Sequence, residues 1–520
     1  MVAVARHVLR TRTFLGSIGG SALAIALSVV LLFVMPGLAH ANASLTQVSS
    51  DPFTASTCTA SASTNHHTEV EPDTYSSGST IVAAFQVGRI YDGGACAIGF
   101  ATSTNNGSSW TNGLLPGVTK YTSGTYDRAT DASVAYDAAH NVWLISSLVL
   151  SESGGVHGVA VVTSRSTDGG STWGNPVITE NTSKSPDKNW IVCDDTATSP
   201  FYGHCYTEWD DNGSGNLLQM STSTDGGLTW GAVLTDGSGV IGGQPVVRPD
   251  GTVIVPTDNA NESSLGAFNS TNGGASWSAI TTITTIKSHT EAGSLRSGPL
   301  PSAEIDGAGT VYIAWSDCRF ERSCKANDIV LTHSTNSTGT TWSTITRVPA
   351  DAVGSGVDHF IPGLAVNKST SGSSAQLGIT YYTYPNTNCG TSCVLDVNYI
   401  SSTNAGATWS ASSQLAGPFN VTWTATTSQG RMVGDYISTS FGSDNLAHGV
   451  FMTASAPTSG TACDSTPDNC VEPADSTSGG LAALAGTVSS ANDAVLTNPG
   501  NPNAANLWNV VDNNGAKHRD

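Results

Sequence analysis

The stretch "SRSTDGGSTW", residues 164–173, decides the fold. Asp168 can accept hydrogen bonds from backbone N–H groups a few residues ahead, and glycine supplies the positive φ that a tight turn needs. Trp173 then returns a large apolar ring to the sheet, with an indole N–H that needs one partner. One copy would mark a hairpin and nothing more. The pattern recurs as "STNNGSSW" ending at Trp110, "STDGGLTW" at Trp230, "STNGGASW" at Trp277, "STNSTGTTW" at Trp342 and "STNAGATW" at Trp409. Asn in place of Asp keeps the turn-forming acceptor. The intervals between these tryptophans are 63, 57, 47, 65 and 67 residues, the length of one supersecondary unit per repeat.

A second element repeats in phase with the boxes. "DASVAYDAAHNVWLISSL", "QPVVRPDGTVIVPT" and "PSAEIDGAGTVYIAWSD" each read as an apolar alternating strand, a Gly/Asn/Asp turn and another such strand. With the strand carrying the box and one after the Trp, each repeat holds four antiparallel strands. This predicts an all-β β-propeller. A further strand pair, "RMVGDYISTSFG" and "AHGVFMTAS", follows without a box, so seven blades are expected, the last closed by the strand around "SLTQVSS". Six is the alternative. The propeller is assigned to residues 44–460, and residues 461–520 to a low-complexity tail.

Composition supports the same class. Gly, Ser, Thr and Asn dominate, only 12% of the 520 residues are charged, and the net charge is −20. Such a surface repels nucleic acid and anionic membranes. Arg6, Arg10 and Arg12 precede the apolar run "ALAIALSVVLLFVMPGLA" and the small-x-small site Ala39-His40-Ala41. Residues 1–41 therefore read as a secretory signal peptide, with an uncleaved anchor as the alternative. Ten cysteines in sequence-near pairs fit an exported, disulfide-bonded monomer: Cys58 and Cys96, Cys193 and Cys205, Cys318 and Cys324, Cys389 and Cys393, Cys463 and Cys470. "CGTSC" resembles a metal knuckle but lacks a second ligand pair at finger spacing.

The S-x-D-x-G-x-x-W boxes resemble the Asp-box (BNR) repeats of the sialidase superfamily over most of residues 45–455. Such boxes staple blades and say little about chemistry. The chemistry is sought just before each inner strand, where side chains converge on a central channel. Those positions carry Glu69, Glu71 and Asp73, then Asp127, Arg128 and Asp131. They continue with Asp187, Lys188 and Trp190, then Gln244, Arg296, Asp358 and His359, and finally Arg431, Asp435 and Tyr436. In a chain with 20 basic residues, this register holds Arg128, Lys188, Arg296 and Arg431, which could grip a carboxylate.

The resemblance implies a Tyr nucleophile activated by a Glu, an Asp acid/base and an arginine triad. It points to Tyr436 as nucleophile, Glu71 as the blade-one carboxylate, and Asp92 in "FQVGRIYDGG" as proton donor with Arg89 nearby. It makes Arg296 and Arg431 the carboxylate ligands, and the channel register adds Arg128, Lys188, Gln244, His359 and Asp435 as substrate-binding residues. The F/Y-R-I-P motif is absent: "VEPDTY" puts Val70 where the first arginine would stand, and "HFIPG" at 359–363 keeps Ile-Pro without Arg. The expected activity is hydrolysis of a terminal, acidic sugar from a glycan. The alternatives are a non-catalytic carbohydrate-binding propeller and a lyase acting on uronic-acid polysaccharides. No cofactor is expected. The oxygen-rich "WDDNGSGN" at 209–216 would suit a structural calcium, with an ordinary hairpin turn as the competing reading. "WSDCRFERSCKANDI", 315–329, reads as a charged loop tied by Cys318 and Cys324.

Overall fold

The computed structural model describes residues 43–390, 392–463 and 468–490. The signal-peptide reading falls on 1–41, outside the described residues. Among the described residues there is no α-helix, and the chain forms a succession of antiparallel sheets.

The sheets follow the repeat. Thr64–Ser77 and Arg128–Asp137 open the first two sheets, which the Ala95–Ala129 pairing joins into one eight-stranded sheet, and Pro186–Cys193 opens the third. Val246–Val247, Ser302–Ile305, Asp358–Val366 and Ser438–Phe441 open the following ones. Each opening strand packs beside the next, and Ser438–Phe441 packs beside Thr64–Ser77. The last sheet recruits Leu45–Gln47, which pairs with Ala474–Thr477. Residues 474–489, expected to be tail, thus supply strands Ala474–Thr477, Leu481–Ala482 and Val488–Ser489. Low complexity misled there because a strand between two others needs only backbone hydrogen bonds and small side chains. Residues 491–520 lie outside the described residues.

The boxes hold neighbouring sheets together as well as closing their own turns. In the box at 166–173, Ser166 Oγ donates to Asp168 (2.8 Å) and accepts from Gly170 N (3.0 Å), while Thr172 N and Oγ1 donate to the Asp168 carboxylate. These donors pull the Asp168 carboxyl down to about 2. Gly170 has φ +82°, and a Cβ there would lie 2.8 Å from Val82 of the preceding sheet. The equivalent glycines 227, 274, 339 and 406 press likewise on Leu144, Thr222, Ile254 and Leu331. Gly107 of the first box presses on His448 of the last sheet. Full burial of every box tryptophan is not found: Trp173 and Trp409 are buried, but Trp110, Trp230, Trp277 and Trp342 are half-buried. These four rings lie at the outer end of each sheet, where one face meets solvent.

The largest apolar cluster joins the first, sixth and last sheets through Phe85, Val87, Tyr382, Tyr384, Val450 and Phe451. The five expected cysteine pairs are all bonded, with Cα separations between 4.0 and 6.1 Å. Among the described residues, no helix is long and apolar enough to cross a membrane.

Candidate functional site

Four of the opening strands carry the same backbone device. Register shifts interrupt the pairing between Val70 and Asp73, Thr130 and Ser133, Asp187 and Trp190, and Phe360 and Gly363. Inside these shifts Glu71 (φ +56°), Asp131 (+47°), Lys188 (+50°) and Ile361 (+51°) are left-handed. Non-glycine residues pay about 1–3 kcal/mol for such a conformation, and bulges of this kind re-aim a side chain. Three of the four are charged, and they meet. Lys188 Nζ lies 3.7 Å from Glu71 Oε1, 3.5 Å from Asp131 Oδ1 and 2.6 Å from Asp435 Oδ2. Arg296 grips the same Asp435 through two nitrogens, at 2.8 and 2.6 Å. Gly434 (φ +144°) lets this strand approach: a Cβ there would lie 2.8 Å from Glu71 N.

Two clefts flank Lys188. One is lined by Trp190, Gln244, Pro362, Asp435 and Tyr436 among others. The other is lined by Glu71, Gln86, Arg89, Asp131, Asp187 and Arg296 among others. In the first, the Trp190 and Tyr436 rings meet edge to face with centroids 5.0 Å apart.

Burial governs the electrostatics. It pushes Glu71 up to about 7, against the opposing pull of Lys188, and it raises Asp131 and Asp187. For Lys188 and Arg296 the effect of burial is overcome by their carboxylates, and both are held above their ordinary values. Tyr436 is pushed well up, by burial first and then by Glu71. Arg89 differs. It is buried, donates to Gly94 O (2.5 Å) and Met432 Sδ (3.4 Å), and has no ion pair with any carboxylate among the described residues. Burial, then Arg296, lowers it to about 10.

Of the residues expected to form the site, Glu71, Lys188, Arg296 and Asp435 come together, and Gln244 and Tyr436 line the adjoining cleft. Four do not join them. Arg128 is fully buried, and its guanidinium is taken up by Glu152 (2.8 Å), Asp92 (2.6 Å), Gly93 O and Ser61 Oγ. Asp92 is thereby fixed as the partner of Arg128 and lines neither cleft. Arg431 donates to the carbonyls of Thr424 and Cys463. His359 bonds Asn327 O through Nδ1 and faces Asp351. His359, Asp328 and Asp351 group closely enough for a metal, but Arg347 already sits between the two carboxylates. Arg128, Arg431 and His359 share the register of the cluster, but groups beside them satisfy them locally.

Arg89 and Gln86 were not expected to bind substrate. Their signal was available: two polar residues in "AFQVGRI", an otherwise apolar strand that is buried throughout. The charged loop is structural, with Arg319 folded onto Asp317 at 2.6 Å. In "WDDNGSGN" the Asp211 carboxylate accepts from Lys184 N, Ser185 N and Ser214 Oγ, the pattern of a turn.

No protein-family model matches the sequence, and no curated protein matches it. In fold the chain is similar to a Dyadobacter fermentans protein of unknown function, at 14% identity and TM-score 0.43, covering 65% of this chain and 96% of that one. It is also similar to a Hadza microbial sialidase (14%, TM-score 0.41, covering 61% of this chain) and to a Trypanosoma rangeli sialidase bound to sialic acid (14%, TM-score 0.40, 64%). Of those two proteins the matched region spans 64% and 54%.

Proposed function

We propose that this chain is an exported glycoside hydrolase, a seven-bladed propeller whose clefts take a sugar bearing a carboxylate. The cyclic succession of opening strands and the pairing of Leu45–Gln47 with Ala474–Thr477 support seven blades and their closure. Five disulfides support export.

The observation that carries the substrate class is Arg89. A buried guanidinium without a carboxylate is costly, and an incoming carboxylate removes that cost by a charge-assisted bond. Arg296 lines the same cleft and would share the anion. Glu71, pushed up to about 7, would take the Tyr436 proton as the phenolic oxygen attacks the anomeric carbon. Asp187, half-exposed in the cleft and raised by burial, would protonate the departing oxygen. Water then cleaves the sugar–tyrosine bond, giving its proton to Asp187, while Glu71 returns the proton to the phenol. Trp190 offers an aromatic wall to the ring.

A panel of sialosides, uronides and neutral glycosides tests this reading. Arg89→Gln should raise KM at least about tenfold for carboxylated substrates and leave neutral ones unchanged. Equal loss on both classes, or none, would overturn the assignment. One observation favours a binding-only reading: Asp435 already engages both Lys188 and Arg296. Saturable glycan binding without product would decide for it, and an unsaturated product would mark a lyase.

A further inference from the structure

Beside the loop that leads to Arg296 lies a second cluster, unrelated to either cleft. We propose that His289 and Asp358 hold a divalent cation of the zinc type, with Tyr384 and water completing its shell. His289 Nε2 and Asp358 Oδ2 are 3.5 Å apart, and neither has a hydrogen-bond partner, although both atoms are buried. The Tyr384 hydroxyl, on the strand position directly opposite Asp358, is also buried and unpartnered. Buried polar atoms are ordinarily bonded, so a facing pair of unbonded atoms calls for an occupant. Two ligand atoms each about 2.0 Å from a tetrahedral zinc lie about 3.3 Å apart, close to the separation found.

The surroundings are those of a built site. Asn327 organises the group: it accepts from His289 N (2.8 Å), donates to His289 O and Glu291 Oε1 (both 2.7 Å), and gives its own N–H to Asp358 Oδ1 (2.6 Å). The Cys318–Cys324 disulfide closes the segment behind. The contrast with Asp328, Asp351 and His359 is instructive, because there Arg347 supplies the positive charge. A nitrogen ligand favours zinc over calcium, which takes oxygen.

The test uses the full chain and needs no substrate. Protein treated with a chelator and dialysed is melted with zinc alone, with calcium alone and with neither. Zinc should raise Tm by roughly 2 °C or more, and about one equivalent should remain bound by elemental analysis. His289→Gln should abolish the shift, as should Asp358→Asn, which keeps the acceptor for Asn327 and so preserves the fold. A zinc shift that survives both substitutions overturns the site. So does the absence of any zinc shift in the unaltered chain, or a shift with calcium alone.

Discussion

Lys188 Nζ meets Asp435 Oδ2 at 2.6 Å, although 247 residues separate them. This contact binds the third opening strand to the segment before the last one. It also brings Lys188, Arg296 and Asp435 into one buried ionic group. Breaking it leaves two buried cations short of their best partner. Asp435→Ala should therefore cost about 3–5 kcal/mol in urea unfolding. A loss below about 1 kcal/mol would show that water reaches the cluster freely.

Gly434 should tolerate no side chain. Its φ of +144° excludes ordinary residues, and a Cβ would meet Glu71 N and Tyr436 O, both at 2.8 Å. Gly434→Ala is expected to destabilise the chain by at least about 2 kcal/mol. It should also alter the Tyr436 environment, read by near-ultraviolet circular dichroism.

Arg128 and Tyr436 should separate structure from chemistry. Arg128→Met should lower stability by about 3–5 kcal/mol, because Glu152 and Asp92 lose their cation, and leave KM unchanged in the folded fraction. Tyr436→Phe should leave the melting temperature nearly unchanged and reduce hydrolysis to background, while glycan affinity by calorimetry stays within about threefold. Retained turnover would remove Tyr436 from the mechanism.

Stability should peak in mildly acidic solution. Burial, opposed by backbone hydrogen bonds, raises Asp51 to about 6 and Asp73 to about 7. Burial, opposed by Lys368, raises Glu304 to about 7. A carboxyl raised on folding contributes fully below its unfolded value of about 4, and that contribution is lost as pH climbs through 6 to 7. Asp168, depressed to about 2, acts in the opposite sense: its contribution is present above about 4 and lost as pH falls toward 2. Urea midpoints measured from pH 3 to 8 should therefore be highest near pH 4 to 5. A midpoint still rising at pH 8 would contradict the raised carboxyls.

The sequence by itself determined what local chemistry controls. The box at 166–173 and its five relatives mark turns whose hydrogen bonds close within a few residues, so their meaning survives without a fold. The disulfide pairs were legible for the same reason: Cys318 and Cys324, or Cys389 and Cys393, are too near in sequence to miss one another. Tertiary structure alone decided which charges pair. Arg128 and Arg296 hold equivalent places before inner strands. Arg128 is neutralised by Glu152 and Asp92 on neighbouring turns, and Arg296 by Asp435, 139 residues away. Arg89, near the end of an apolar strand, lines the cleft without a carboxylate partner among the described residues. Side-chain direction across bulges such as that at Glu71 depends on a left-handed backbone that no residue pattern announces. Coulomb attraction between buried groups depends on distance in space, and the packing of one opening strand beside the next is what sets that distance.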